Sequence, residues 1–466
     1  MTKQLPFPSP YLVLGTNKNG KPLVLTEPGL SYHKLLIGAS GSGKSMYILW
    51  ILLSLLRQGI RFMCLDLHGD LARGLIGYLL EEDFFSDPRF INRLHYYQFN
   101  RPDRALPFNI LNNPEYDTHT IAVNLLDVIK RLFPSSSSTP AMDNVFLSAI
   151  HTLIENKRNF IDIGRLLLDS SWRRSLTHSV SEQLVIDFFK NFDTKAGQTF
   201  DSALRRVFNL SYPLALQRSL GQSENRLRWR YVLDQTNVSC MFNLSGLDEY
   251  SQRFLGALIF NGLEVAYKAR SDISPDKRIP VWTVADEFPR FAQTSEVSFS
   301  NILDETRKYK GTLILACQSF GHLSSGMTTS LQNAQTILLK LGWSDAAFAS
   351  QHFFKKVTPQ QQSMWDILFN GWQEETSPFE GVENTQAARD VFESIPRAYA
   401  IARIGPDPQL IKLPTLPQFT ASEAKIKAIE DYYAKALLVP VNTGGSAPAP
   451  APAPHAPGKA KRRISP

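Results

Sequence analysis

The chain is poor in cysteine: 466 residues hold three, Cys64, Cys240 and Cys317. None is in CxxC spacing, each lies inside an apolar run that reads as a buried strand, and no secretory signal precedes them. That pattern excludes a disulfide framework and predicts reduced core thiols in a cytosolic protein. Long apolar runs are also missing. The longest, YILWILLSLL at 47–56, stops at Arg57 and falls short of the ~20 residues a membrane-spanning helix needs. Excess charge is nearly absent from the body of the chain. The formal net charge is +7, but Lys459, Lys461, Arg462 and Arg463 in the last eight residues supply four of it, leaving +3 elsewhere. Overall charge therefore does not point to a polyanion partner, and any basic footprint has to be local.

What the chain does hold is core-forming material. Hydrophobic residues make up 43% and charged residues 20%, the balance of a globular protein. The length exceeds one ordinary core, so one large α/β domain with an insertion, or two domains, is expected. Six short continuous apolar runs read as strands buried on both faces: HKLLIG at 33–38, RFMCLD at 61–66, VSCMFNL at 238–244, VWTVAD at 281–286, GTLILAC at 311–317 and QTILLKL at 335–341. A seventh, AYAIARI at 398–404, is expected to close one edge. Helical stretches between them, such as 45–57 and 250–270, give the alternation of a mostly parallel sheet covered on both faces.

Between the second and third runs, Ile121, Leu125, Val128, Ile129 and Leu132 recur at helical spacing, as do Met142, Val145, Phe146, Ala149, Ile150 and Leu153. Residues 114–235 therefore read as an α-helical insertion, with PSSSSTP at 134–140 as a loop inside it. It would divide an α/β domain into residues 1–113 and 236–415. A C-terminal helix is expected at 416–440. The Pro/Ala-rich linker with its basic tip, 441–466, cannot bury a core and is expected to be disordered.

The sharpest motif is GASGSGKS, made of Gly38, Ala39, Ser40, Gly41, Ser42, Gly43, Lys44 and Ser45, with Met46 completing the stretch. It satisfies GxxxxGK[ST] and sits between an apolar strand and an apolar helix, the context a phosphate-binding loop requires. Its glycines let successive N–H groups face phosphate oxygens, Lys44 would neutralise the β and γ oxygens of ATP, and Ser45 would bind Mg²⁺. Hydrolysis needs more. VWTVADEFPRF ends its strand on Asp286, assigned to the metal, and Glu287, assigned to polarising the attacking water. LILACQS ends on Gln318, placed to sense the γ-phosphate or that water. The runs at 61–66 and 238–244 intervene between the phosphate loop and Asp286, an arrangement of RecA-like (ASCE) motors, which usually work as rings.

These segments, together with MCLDLHGDLARGLI, FNLSGL, ILDETRKYKGTLILACQS and AQTILLKLGWSDAAFAS, occur in an order that resembles the HerA/FtsK-like P-loop ATPases. Within that group they are most similar to the cytoplasmic ATPase domains of TraG/TraD-type conjugative coupling proteins and HerA-like helicases. The resemblance covers roughly residues 20–110 and 235–415. It implies ATP and Mg²⁺ as cofactors, a homo-oligomer, hexameric in the family's manner, DNA as the polymer moved, and a relaxase, nuclease or secretion channel as partner. It also implies that Arg307, with Lys308 as substitute, matches the arginine that reaches a neighbouring subunit's nucleotide. DLHGD resembles the family's DPHGD turn with Leu67 in place of proline, so Asp66, His68 and Asp70 read either as groups behind the phosphates or as turn and cap residues. The chain reaches its phosphate loop by residue 38 with neither transmembrane helices nor room for a barrel domain, so attachment to the inner face of a membrane would come from a partner.

Candidate DNA contacts are the Ser/Thr-rich stretches 291–301 and 319–330, and a basic run in which Arg226, Arg228 and Arg230 flank Trp229, with Arg205, Arg206 and Arg218 upstream. Each also has a plainer reading, as ordinary loops or as a solvated or paired helix face. The expectation is thus a DNA-translocating ATPase. The alternatives are a secretion-system assembly ATPase acting on proteins and an ATP-gated recruitment scaffold.

Overall fold

Among the described residues thirteen short segments adopt extended backbone: β1 (Leu12–Thr16), β2 (Pro22–Leu25), β3 (Lys34–Ile37), β4 (Arg61–Asp66), β5 (Leu94–Gln98), β6 (Arg104–Ala105), β7 (Ser239–Asn243), β8 (Val281–Ala285), β9 (Gly311–Cys317), β10 (Gln335–Leu338), β11 (Tyr399–Arg403), β12 (Gln409–Lys412) and β13 (Val439–Pro440). The structure, a computed structural model, describes residues 10–17, 19–133, 139–192, 198–290, 296–353, 385–405 and 408–441. Most of the PSSSSTP loop, residues 291–295 and the tail from 442 onward lie outside the described residues.

Eleven strands form one sheet in the order β2-β1-β12-β11-β10-β3-β9-β8-β4-β7-β5, and β6 pairs with β13 apart from it. From β10 to β5 all neighbours are parallel, whereas β11, β12, β1 and β2 add an antiparallel flank. The run at 398–404 is therefore interior: β12, β1 and β2 lie outside it. A second expectation also changes. The strand standing in space between the phosphate-loop strand β3 and β8 is β9, while the runs at 61–66 and 238–244 lie beyond β8.

The central strands are continuous apolar runs because both faces are covered. β3, β4, β7, β8, β9 and β10 are buried at every position. Alternation sorts their side chains: Met63 and Leu65 enter one core, Phe62 and Cys64 the other, as the two-residue period of a strand demands. The second core holds the helices Lys44–Arg57, Asp70–Glu81 and Glu423–Leu437. The first holds helix Glu249–Ala269 and the helices from Thr118–Leu132 through Trp229–Asp234. Ile121, Phe146 and Phe160 share that core with Met63 and Leu65, so the helical stretch is built onto the sheet rather than beside it.

At the N-terminal strand ends several helices stop and leave carbonyls without intrahelical partners. Buried guanidinium groups supply the donors. Arg270, fully buried, donates from Nε to Asp234 Oδ1 at 2.8 Å and from its terminal nitrogens to the carbonyls of Leu233 (3.0 Å), Tyr309 (3.0 Å) and Ile279 (3.1 Å). Asp234 Oδ2 also accepts from Arg230 Nε at 2.8 Å, and Arg61 donates to the Thr236 carbonyl at 2.5 Å.

Candidate nucleotide site

The opposite end of the sheet is built differently. β3 runs into a tight loop where side chains have no room: a Cβ on Gly38 would lie 2.5 Å from Ser42 Oγ and 2.8 Å from Leu339 Cβ. Gly41 (φ 76°) and Gly43 (φ 99°) are left-handed, a conformation open to glycine. The loop is pinned by Ser42 N–H donating to the Ala39 carbonyl (3.0 Å) and Ala39 N–H donating to the Lys340 carbonyl (3.0 Å). Helix Lys44–Arg57 begins directly after it, with no side-chain cap from Gly43 and no acid in its first turn. Its free N–H groups and positive dipole end are thus offered to an anion. Ser42 Oγ is buried without a hydrogen-bond partner, a polar atom left inside the cradle. Ser45 is half-buried at the helix start, and Met46 is exposed.

Three neighbouring strands deliver the remaining groups. Lys44 is buried and pairs with both Asp286 (Nζ to Oδ1 3.1 Å) and Glu287 Oε1. Burial alone would lower the Lys44 pKa, but the two carboxylates outweigh it and hold it above its ordinary value. Asp286 is raised, first by burial and then by Glu287, against the opposing pull of Lys44. Its Oδ1 has Lys44 as its ion-pair partner and accepts no other hydrogen bond among the described residues. Glu287 sits at φ 51°, a left-handed position that costs a non-glycine residue about 1–3 kcal/mol and is typical of working sites. Gln318 follows β9, whose Cys317 registers with Ile37, so the half-buried amide stands beside Gly38.

Lys44, Asp286, Glu287 and Gln318 are therefore brought to one end of the adjacent strands β3, β9 and β8. Among the described residues no trio of His, Cys, Asp or Glu converges as a metal cluster. A divalent cation here would be shared between Ser45, Asp286 and phosphate oxygens, and the buried Asp286 carboxylate fits that role once Lys44 turns to phosphate.

Asp66, next along the sheet, resolves the alternatives for its turn. It accepts backbone N–H groups from His68 (3.1 Å), Gly69 (2.8 Å) and Ala72 (2.8 Å), so it shapes the turn into helix Asp70–Glu81. Burial raises its pKa to about 6 against those three donors. His68 is exposed and close enough to Asp286 to lower that residue's pKa, and Asp70 opens the helix. Sequence reasoning missed Asp345, which accepts from Ser319 Oγ (2.8 Å) and Phe320 N–H (3.0 Å) and so anchors the segment after Gln318. Its one signal was an acid in the first turn of helix Trp343–Phe353.

Arg307 is not with this group. It ends helix Glu296–Lys308, before the first residue of β9, so the length of β9, roughly 20 Å, separates it from Gln318. Its guanidinium is exposed and lies 4.1 Å from the centre of the Tyr32 ring. Lys308 offers its carbonyl to Arg278 (3.1 Å) and lies over the Tyr309 ring.

The basic run disperses. Trp229 is buried core, Arg230 is tied to Asp234 and Asp272, Arg206 is buried and Arg218 donates to the Arg101 carbonyl. Arg205, Arg226 and Arg228 remain exposed. In 319–330 the hydroxyls serve local backbone: Ser324 caps Met327 N–H, while Thr328, Thr329 and Ser330 donate to carbonyls four residues back. Of 291–301, residues 296–301 belong to helix Glu296–Lys308. Among the described residues no helix is long and apolar enough to cross a membrane.

With this geometry in place, comparison with known proteins gives three results. Residues 7–72, from the N-terminus through the phosphate loop to the Asp66 turn, match the FtsK/SpoIIIE family. No curated protein matches the chain. Solved structures share its fold: the bacterial conjugative coupling protein TrwBdeltaN70 (13% identity, 88% of this chain and 90% of that one, TM-score 0.53), the plasmid coupling protein TrwB in complex with ADP and Mg²⁺ (14%, 89% and 91%, 0.56), and VirB4 of Thermoanaerobacter pseudethanolicus (14%, 89% and 98%, 0.50). The fold is that of the RecA-like P-loop ATPases, with an FtsK-like phosphate-loop region.

Proposed function

We propose that the chain is an ATP-hydrolysing motor subunit that works in a ring, a hexamer in the leading form of this reading, and translocates DNA in conjugation-type transfer. The observation that carries it is the meeting of Lys44, Asp286, Glu287 and Gln318 on adjacent strand ends beside an uncapped helix N-terminus. A phosphate binder alone has no use for two buried carboxylates and a left-handed Glu287.

ATP phosphates entering the loop meet the N–H groups of residues 43–46 and draw Lys44 away from its carboxylates. Ser45 and Asp286 would hold Mg²⁺ together with the phosphate oxygens, and the ion would supply positive charge against the negative charge building on the β and γ oxygens. Glu287, released from Lys44, takes a proton from the attacking water. Gln318 donates its amide to the γ-phosphate or orients that water. Arg307 acts on a neighbouring subunit's nucleotide, since its own lies a strand length away. The TrwB structure with ADP and Mg²⁺ supports the choice of ligands. Work on the cytoplasmic side, with a relaxase, nuclease or secretion-channel partner, belongs to the same reading.

A second reading, an assembly ATPase acting on protein partners, is favoured by the self-satisfied hydroxyls of 319–330, which have no strong grip left for phosphates. One titration separates the readings: the ATPase rate of wild type and Lys44→Ala against single-stranded, double-stranded and no DNA, with oligomer mass measured in parallel. DNA stimulation of the wild type alone supports the motor. Rates indifferent to both DNA forms, with no DNA binding at low salt, would sink it.

A further inference from the structure

Tyr32 and His33, which precede the phosphate-loop strand, and Lys34, its first residue, form a built support at the far end of β3 from the loop. Tyr32 is half-buried and turns its ring face to the Arg307 guanidinium, 4.1 Å away. Buried His33 donates from Nε2 to the Leu303 carbonyl (2.6 Å) and accepts at Nδ1 from Leu313 N–H (3.0 Å). The Leu303 carbonyl lies one helical turn before Arg307, the place of its i−4 partner, so the ring ties the last turn of that helix to β9. Lys34, fully buried over the Trp282 ring, donates to the carbonyls of Tyr32 (2.6 Å), Leu30 (3.2 Å) and Gly29 (3.4 Å). The turn bearing Tyr32 is thus held by its successor's ammonium, and the helix bearing Arg307 by the intervening imidazole.

We infer that Tyr32 is a positioning residue for Arg307, a flat platform that holds an otherwise exposed guanidinium in one orientation for delivery to the neighbouring subunit's nucleotide. This rests on the reading of Arg307 as a residue acting between subunits. A planar cation stacked on an aromatic face keeps its outward N–H groups free, whereas a carboxylate partner would occupy them. The phosphate loop and this platform lie at the two ends of β3, so the strand that carries a subunit's own phosphate site also supports the helix-borne arginine it offers to its neighbour.

The test uses full-length subunits mixed into rings. Lys44→Ala subunits keep Arg307 but cannot hydrolyse; Arg307→Ala subunits keep a complete site but supply no arginine. Mixing the two should restore hydrolysis over either alone. Donors carrying Tyr32→Leu with Lys44→Ala should restore it roughly 10-fold less well, while Tyr32→Phe with Lys44→Ala should restore it fully, because the ring face is kept. Ring mass and donor incorporation are measured alongside, and the donor's own dead site ensures that only its arginine is read. Equal restoration by the Tyr32→Leu donor overturns the positioning role and leaves the arginine reading intact. Failure of Lys44→Ala donors to restore any activity overturns the arginine reading, and this inference with it.

Discussion

The two ends of the sheet handle buried charge in opposite ways. At the N-terminal strand ends two buried cations rest mainly on neutral carbonyls: Arg270 on three carbonyls and Asp234, Lys34 on three carbonyls. At the C-terminal ends one lysine faces two carboxylates, the Ser42 hydroxyl lacks a partner, and Gly41, Gly43 and Glu287 hold left-handed backbone. Saturated polar groups give rigidity, and unsaturated ones await a ligand. Binding chemistry thus shows as two carboxylates gathered on one ammonium beside an uncapped helix N-terminus.

Four perturbations probe this contrast, from the largest effect to the smallest. Glu287→Gln should cut kcat by roughly 10²–10⁴ while KM for ATP stays within about twofold, because the lost group moves a proton and does not grip phosphate; steady-state kinetics decides it, and an unchanged kcat would remove Glu287 from the chemistry. Asp234→Ala should do the reverse, lowering stability by about 3–5 kcal/mol by stranding Arg270 while kcat per folded ring is unchanged. Denaturant melts paired with active-site counting would show a loss of kcat instead if the two ends were not separable.

Acid should act on the two ends with opposite sign. Burial lowers the His33 pKa from 6.5 to about 4, so the unfolded chain takes the proton first and His33 costs stability as pH falls from 6.5 to 4, by about 3 kcal/mol. Asp66, raised to about 6 by burial, is protonated first in the folded state. Its contribution is full below 3.8 and is lost as pH rises through 6. Subtracting the His33→Asn stability profile from that of wild type should isolate the first slope; parallel profiles would contradict it. Last, Gly43→Ala should cost about 1–2 kcal/mol, because nothing crowds a Cβ there and only the backbone angle objects, an effect visible as a few degrees in Tm.

The contrast also explains what was legible in the sequence. β4 and β9 could be read to the residue because strands buried on both faces are continuous apolar runs. β1, β2, β5 and β12 were not read: they are short, carry half-exposed positions and include residues such as His95 and Lys412. Hence Tyr399–Arg403 looked like an edge. The phosphate loop and the pair Asp286–Glu287 were visible because loop geometry and strand ends restrict residue type. The platform under Arg307 was not, since Tyr32 and His33 act through pairing of β3 with β9 across some 280 positions of chain, and no local pattern encodes that. The run around Trp229 kept two readings for the converse reason: local composition does not say which face Asp234 and Arg270 will occupy.

The sheet's strand order has a consequence for how the chain matures. β3 is flanked by β9 and β10, and Thr16 of β1 pairs with Lys412 of β12. Neighbours so distant along the chain give a high contact order and slow assembly. During synthesis the phosphate loop appears early but stays without its walls until residue 340, whose carbonyl holds Ala39, has emerged. A nucleotide would then recognise only the finished chain, and by mass action would favour it over every partly folded competitor.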